Sequence, residues 1–143
     1  MLSVIPKSIN DQVLTSCANF RTKHRFPSMT YFDRVTGCSI WRSSQACYGL
    51  MMNRNGDDER MLAEIGKTNV NYPGNKLNIF DARSNVAAHA NRLRGGGIEN
   101  VNYYTNCEVH FCDIANIHGV RDGIEKMYNM GQTEVLNNPQ KYL

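Results

Sequence analysis

The sequence lacks several features that would each define a class of protein. No apolar run approaches the roughly 20 residues of a membrane-spanning helix, and no run of like charge is long enough for a nucleic-acid-binding tail. The five cysteines include no CxxC pair, and residues 1–6 are too few, and not basic enough, for a signal peptide. The sequence therefore predicts free thiols, a cytoplasmic location with at most peripheral membrane contact, and no nucleic-acid partner.

What the chain does contain is typical of one globular domain. Its 143 residues, 41% of them hydrophobic, are enough for one core but not for two. The net charge of +3 is mildly basic, which is compatible with an anionic ligand without requiring one.

The middle of the chain has the pattern of a strand, a helix and a second strand. Residues 77–80 are mostly apolar and predict a buried strand. Ser84 can cap a helix over residues 86–93, and three glycines at 95–97 end it. A second predicted strand occupies about residues 109–114. This order is typical of a βαβ unit in an α/β fold.

Polar side chains follow both predicted strands. Asp81 and Arg83 come after the first, and Asn116, Ile117 and His118 come after the second. Because ligands bind outside the carboxyl ends of the strands in open α/β sheets, the two groups are predicted to face one crevice.

The remaining elements follow from hydrophobic periodicity and turn residues. In the first third of the chain, the sequence predicts a short strand at 2–5, a helix over 9–20 that Ser8 and Asp11 start, and a hairpin with strands at 29–32 and 38–41. Further along, it predicts a helix after the acidic residues 57–59 and a last helix over 119–129. Cys17 is expected in the core. The basic stretch 21–25 is predicted to be a solvated loop, and 69–75 another loop.

Four motifs resemble the first half of the phosphatase domain of myotubularin-related lipid phosphatases. They are DARS, AHANRLRGGG, YYTNCEVHF and IANIH, at residues 81–84, 88–97, 103–111 and 114–118. The resemblance covers about Ile5 to Lys126. It is nearest to the subgroup that also carries a FYVE zinc finger, where Ser rather than Pro follows DAR.

The resemblance implies a particular fold and domain organisation. The fold is α/β, a partial cysteine-phosphatase-like (myotubularin) domain with a mixed sheet, helices packed on it and an N-terminal hairpin. Residues 1–129 would be the N-terminal part of the phosphatase domain, and residues 130–143 an irregular tail.

The resemblance also implies an activity, the removal of the D3 phosphate from phosphatidylinositol 3-phosphate and the 3,5-bisphosphate. The family nucleophile is a cysteine followed by five residues and an arginine. The residues six places after the five cysteines are instead Lys23, Ser44, Asn53, Asp113 and His118. No catalytic residue is therefore predicted here, and the chain alone is predicted to be inactive.

By the same resemblance, Asn91, Asn116 and Ile117 match positions that contact the phosphoinositide head group. An asparagine amide can donate to a phosphate oxygen and accept from a hydroxyl. From the residues alone, Asn116 is equally typical of a turn or a helix cap.

Other polar residues have a structural and a functional interpretation. Asp81 and Arg83 could form a structural pair at the strand end or orient the crevice, with His118 as a further supporting residue. Arg92 and Arg94 could meet an anionic head group or complement the helix dipole.

A metal site is not predicted. Cys107, His110, Cys112 and His118 contain suitable ligand types, but on a strand Cys107 faces away from His110 and Cys112. The spacing also fits no standard zinc finger. We predict neither a metal nor a cofactor.

The alternative to an enzyme fragment is a catalytically inactive interaction protein. Some members of the family lack a working nucleophile and pair with active relatives. By this resemblance the chain could form homo- or hetero-oligomers with other myotubularins.

Overall fold

The computed structural model describes residues 3–71 and 74–137. The chain divides into two compact units, residues 1–112 and 113–143. The described helices are α1 (Asp11–Phe20), α2 (Gly56–Gly66), α3 (Asn85–Ala90) and α4 (Ile117–Asn137), and the strands are β1 (Ser28–Phe32), β2 (Ser39–Arg42), β3 (Leu77–Asp81) and β4 (Cys107–Phe111). The fold is thus α/β, as predicted.

The predicted hairpin is confirmed. β1 and β2 pair antiparallel, from Ser28 opposite Arg42 to Phe32 opposite Ser39. The Asp33 carboxylate accepts a hydrogen bond from the Val35 N–H at 3.0 Å and so closes the turn locally.

The predicted βαβ unit is also confirmed. β3 and β4 pair parallel in register, and α3 connects them. The Ser84 hydroxyl accepts a hydrogen bond from the Ala87 N–H at 3.2 Å, so Ser84 is the helix cap. α3 is shorter than predicted, because a 3₁₀ turn at Asn91–Arg94 replaces its last part before the left-handed Gly95.

The core of the first unit lies mainly between α1 and α2. Both helices bury one face, as their apolar spacing predicts. The buried cluster consists of Ile9, Val13, Cys17, Met61, Leu62, Ile65, Tyr104 and Cys107.

The prediction for the N-terminal region was partly wrong. α1 begins at Asp11, and its cap is Asn10, whose side chain accepts from the Val13 N–H at 2.9 Å. Ser8 instead donates to the Glu64 carboxylate at 2.5 Å. Residues 3–5 form no strand, and Leu2 lies outside the described residues.

The second unit begins differently from the prediction. β4 ends at Phe111, and Asp113 has a left-handed backbone (φ 50°) that breaks the extended conformation. α4 begins at Ile117 and continues to Asn137, so residues 130–137 are helical rather than irregular; residues 138–143 lie outside the described part. None of the helices described combines the length and apolar character needed to cross a membrane.

Candidate functional site

A cleft of about 460 Å³ lies beside the carboxyl end of β3. It brings together three of the residues singled out from the sequence, Asp81, Arg83 and Asn91. Its other walls include Thr22, Lys23, Arg25, residues 43–45 and Glu99. We call it the β3 cleft.

Asp81 and Arg83 form a two-pronged ion pair in this cleft. The Arg83 Nε donates to Asp81 Oδ1 at 2.9 Å, and Nη2 donates to Oδ2 at 2.6 Å. Burial opposes ionisation of Asp81, but the hydrogen bonds from Arg83 outweigh it and lower the pKa of the carboxyl. The pair matches the structural interpretation, and a role in orienting the crevice stays a prediction.

Arg83 also ties two loops to the end of β3. It donates to the Gln45 side-chain carbonyl, and its Nη2 reaches the Gly97 carbonyl at 3.0 Å. Gly96 allows this close packing, because a Cβ there would lie 2.6 Å from the Gln45 Oε1. Sequence reasoning missed Gln45, which is 38 positions away from Arg83.

A buried charge network supports the cleft from below. Arg21 donates to Asp58 through Nε and Nη2, at 2.8 and 2.6 Å. Its Nη1 donates to the Ser44 carbonyl at 3.0 Å and to the Glu99 carboxylate. The Tyr104 hydroxyl donates to Asp58 at 2.8 Å. Since Ser44 and Glu99 line the cleft, Arg21 fixes part of its wall.

The prediction of a solvated loop at residues 21–25 was therefore wrong for Arg21, which is only 1% exposed. Burial alone would lower the pKa of Arg21, but Glu99 and Asp58 raise it, so the guanidinium stays charged. Asp58 is fully buried, whereas the sequence placed it only among the acidic residues that precede a helix.

The next residues of this loop do carry exposed cationic side chains. Lys23 and Arg25 both line the β3 cleft and are exposed. Lys23 and His24 have left-handed backbones, with φ of 56° and 55°, which cost about 1–2 kcal/mol per residue for L-amino acids. The Thr22 N–H donates to the Gln45 carbonyl at 3.1 Å and holds the loop against its neighbour.

Asn91 lies where the 3₁₀ turn begins. Its backbone carbonyl accepts from the Gly96 N–H at 3.0 Å. Within the described residues its side-chain amide makes no hydrogen bond and is half-buried in the cleft wall. Arg92 instead lies over the Tyr48 ring, with its guanidinium carbon 5.1 Å from the ring centre, and neither Arg92 nor Arg94 lines the cleft.

Asn116, Ile117 and His118 belong to the second unit. The Asn116 side-chain oxygen accepts from the His118 and Gly119 N–H groups, both at 3.0 Å. Asn116 therefore caps α4, the structural alternative considered from the sequence. The side chain of Ile117 is exposed. A head-group contact, and a crevice shared with residues 81–83, stay predictions.

The cysteines fall into different environments. Cys17 and Cys107 are buried, and burial raises the pKa of each thiol to about 12, with Asp58 adding to the effect at Cys17 and Glu99 at Cys107. Cys38 and Cys112 are exposed. In the part of the chain that the structure covers, no three His, Cys, Asp or Glu side chains are grouped as metal ligands.

The whole chain, residues 1–143, matches the family described as "Myotubularin-like phosphatase domain". The chain belongs to this family, which confirms the resemblance found in its four central motifs. The nearer likeness to the FYVE-containing subgroup stays a prediction.

Individual curated relatives are also myotubularins. The chain is 41% identical to "Myotubularin" of Xenopus laevis over 126 residues, which cover 88% of this chain and 21% of the relative. It is 36% identical to "Phosphatidylinositol-3,5-bisphosphate 3-phosphatase MTMR2" of Bos taurus over 142 residues, 96% of this chain and 22% of the relative. The chain thus spans about a fifth of the length of these curated relatives.

Proposed function

We propose that the chain is part of a phosphoinositide 3-phosphatase that acts on phosphatidylinositol 3-phosphate and the 3,5-bisphosphate. In this proposal it contributes the head-group-binding residues Asn91, Asn116 and Ile117. The observation that carries the proposal is the Asn91 amide, which lies in the β3 cleft of a myotubularin-family chain and makes no hydrogen bond to the part of the chain that the structure describes.

The chemistry of the cleft suits recognition of such a head group. The Asn91 amide can donate to a phosphate oxygen and accept from an inositol hydroxyl. The Asp81–Arg83 pair, tied to Gln45 and Gly97, keeps the adjacent wall fixed. A preorganised wall lowers the cost of ordering on binding.

The chemical step would require a thiolate that the chain does not supply. None of its five cysteines is followed by arginine at the sixth position, and the buried Cys17 and Cys107 have raised pKa values that disfavour the thiolate. These 143 residues would therefore supply recognition rather than the nucleophile. Because the substrate is a lipid, the proposal places the chain peripherally on a cytoplasmic membrane surface.

Binding to vesicles tests the proposal. We expect the chain to bind phosphatidylcholine vesicles with added phosphatidylinositol 3-phosphate, but not vesicles with unphosphorylated phosphatidylinositol. Asn91→Ala should weaken this binding about tenfold, the effect of one lost hydrogen bond to a charged group. Asn102→Ala is the matched control, since Asn102 is exposed and lies outside the β3 cleft.

Two outcomes would count against the proposal. Equal binding to both kinds of vesicle would show that the chain does not recognise the phosphorylated head group. Release of phosphate by the purified chain would show that a nucleophile other than a Cys-x₅-Arg thiolate is present.

The alternative function, a catalytically inactive partner of active myotubularins, is favoured by one feature of α4. This helix carries exposed apolar side chains at helical spacing, namely Ile117, Val120, Ile124, Met127 and Tyr128. Such a stripe is typical of a surface that packs against another helix. If it binds a relative such as MTMR2, Ile124→Asp should abolish co-elution with that protein and leave vesicle binding unchanged.

A further inference from the structure

The β3 cleft carries an unbalanced positive charge. Its two carboxylates are both paired, Asp81 with Arg83 and Glu99 with Arg21. Lys23 and Arg25 also line the cleft, and within the described residues neither has an acidic partner. Arg21 also pairs with Asp58, so the Arg21–Asp58–Glu99 cluster carries one net negative charge. With the two positive charges of Lys23 and Arg25, the described residues of the cleft and its supporting network keep a net charge of +1.

Neutral donors stand beside these two cations. Arg83 donates a hydrogen bond to the side-chain carbonyl of Gln45. This bond fixes the orientation of the Gln45 amide and leaves its NH₂ group as a donor. The Ser43 hydroxyl lines the same cleft and is exposed. Two cations with hydroxyl and amide donors are well suited to bind the oxygens of a phosphate group.

The cationic loop is held in place rather than freely solvated. Lys23 and His24 keep left-handed backbones, and backbone strain of this kind persists where the surroundings enforce it, frequently at ligand sites. The enforcing contacts include the Thr22 N–H to the Gln45 carbonyl and the Ser44 N–H to the Arg25 carbonyl, at 3.1 and 3.0 Å. The loop therefore presents its cations from a defined backbone.

We propose that Lys23, Arg25 and the Gln45 amide form a subsite for a phosphate group, separate from the Asn91 amide. The group bound is either a phosphate of an inositol head group or free phosphate. Only the head-group assignment rests on the function proposed above; the phosphate subsite itself rests on the charge balance of the β3 cleft.

Titration calorimetry at low salt with three probes tests the subsite. The probes are inorganic phosphate, myo-inositol and inositol 1,3-bisphosphate. We expect both phosphate-bearing probes to bind and myo-inositol to bind more weakly than either. The double variant Lys23→Gln/Arg25→Gln should weaken phosphate binding at least about tenfold. Added salt should also weaken it, because exposed charges are screened.

The matched control is Lys7→Gln/Arg34→Gln. It removes the same two charges from exposed residues that lie outside the β3 cleft, and it should change binding less than about twofold. Circular dichroism of both double variants checks that they are folded. Equal weakening by the two double variants would overturn the subsite, because only net charge would then matter. So would failure of the folded wild-type chain to bind either phosphate-bearing probe.

The probes also separate this inference from the proposed function. Tighter binding of inositol 1,3-bisphosphate than of phosphate, lost in Asn91→Ala, supports the head-group assignment. The two phosphate-bearing probes could instead bind equally, with binding that the double variant weakens and Asn91→Ala does not. That result would support the phosphate subsite and overturn its assignment to an inositol head group. Binding that depends on Asn91 but not on Lys23 and Arg25 overturns the subsite alone.

Discussion

Arg21, the residue that follows α1, donates two parallel hydrogen bonds to Asp58 of α2, at 2.8 and 2.6 Å, in the interior of the first unit. Both side chains are almost fully removed from solvent. Removing one partner of a buried pair leaves the other charge without compensation, which costs about 3–5 kcal/mol. We expect Arg21→Met to lower the free energy of unfolding by this amount in urea denaturation.

The Arg54–Glu59 pair, in which the Arg54 side chain is exposed, provides the control, since Arg54 also donates two hydrogen bonds to a carboxylate. Arg54→Met should change the free energy of unfolding far less than Arg21→Met, because solvent screens an ion pair whose cation is exposed. Similar losses of unfolding free energy in the two variants would show that the buried Arg21–Asp58 pair contributes no more to stability than the Arg54–Glu59 pair.

The Asp81–Arg83 pair predicts a pH dependence with a definite sign. The folded pKa of Asp81 is lowered, so its contribution to stability is complete above about pH 4, the ordinary range of an aspartate. That contribution is lost as the pH falls through the lowered folded value. A carboxyl-detected NMR titration should give Asp81 a midpoint below the ordinary one.

Arg83→Gln should raise that midpoint, because it removes the hydrogen bonds that favour the charged form. Glu64 is an internal control. Its pKa is lowered by Lys67 and Ser8, so it should not respond to Arg83→Gln. An unchanged Asp81 midpoint in the variant would contradict the pairing.

The thiols should differ in reactivity. With a pKa of about 12, Cys17 and Cys107 hold roughly one part in 10⁴ as thiolate at pH 8, and both are buried. Brief treatment of the native chain with iodoacetamide should therefore label Cys38 and Cys112 but spare these two, as read by peptide mass spectrometry. In urea all five cysteines should be labelled. Rapid native labelling of Cys17 would show that α1 opens readily.

Two substitutions separate the structural from the functional role of Asn116. Asn116→Ser keeps a good helix cap, whereas Asn116→Ala removes it at a cost of about 1 kcal/mol. If the amide also binds the head group, both variants should lose binding to phosphatidylinositol 3-phosphate vesicles, while only the alanine variant loses helicity by circular dichroism. Normal binding by the serine variant would leave Asn116 with its capping role alone.

Local signals were sufficient to predict much of this fold. The hairpin, the Ser84 cap and the buried face of α2 each depend on residues within a few positions of one another. The same holds for the parallel pairing of β3 and β4, since a strand, a short helix and a second strand leave few other arrangements.

The sequence was less informative where distant residues meet. Arginine is usually a surface residue. Arg21 is buried because it pairs with carboxylates 37 and 78 positions away. Gln45 also lines the cleft, where it accepts a hydrogen bond from Arg83, 38 positions away. Asn116 was placed after a strand because Val109 and Ile114 continue an apolar pattern, but the left-handed Asp113 interrupts it. Of the residues that line the cleft, Asp81, Arg83 and Asn91 were singled out from the sequence, while Thr22, Lys23, Arg25 and residues 43–45 were not.

The left-handed backbone at Lys23 and His24 has a consequence for engineering this domain. Glycine adopts that conformation without a steric penalty, so His24→Gly offers a route to a more thermostable variant. The same exchange at Lys23 would remove one of the two cations of the β3 cleft that have no acidic partner among the described residues. Thermostability and anion affinity are therefore expected to trade against each other at position 23 and to be independent at position 24.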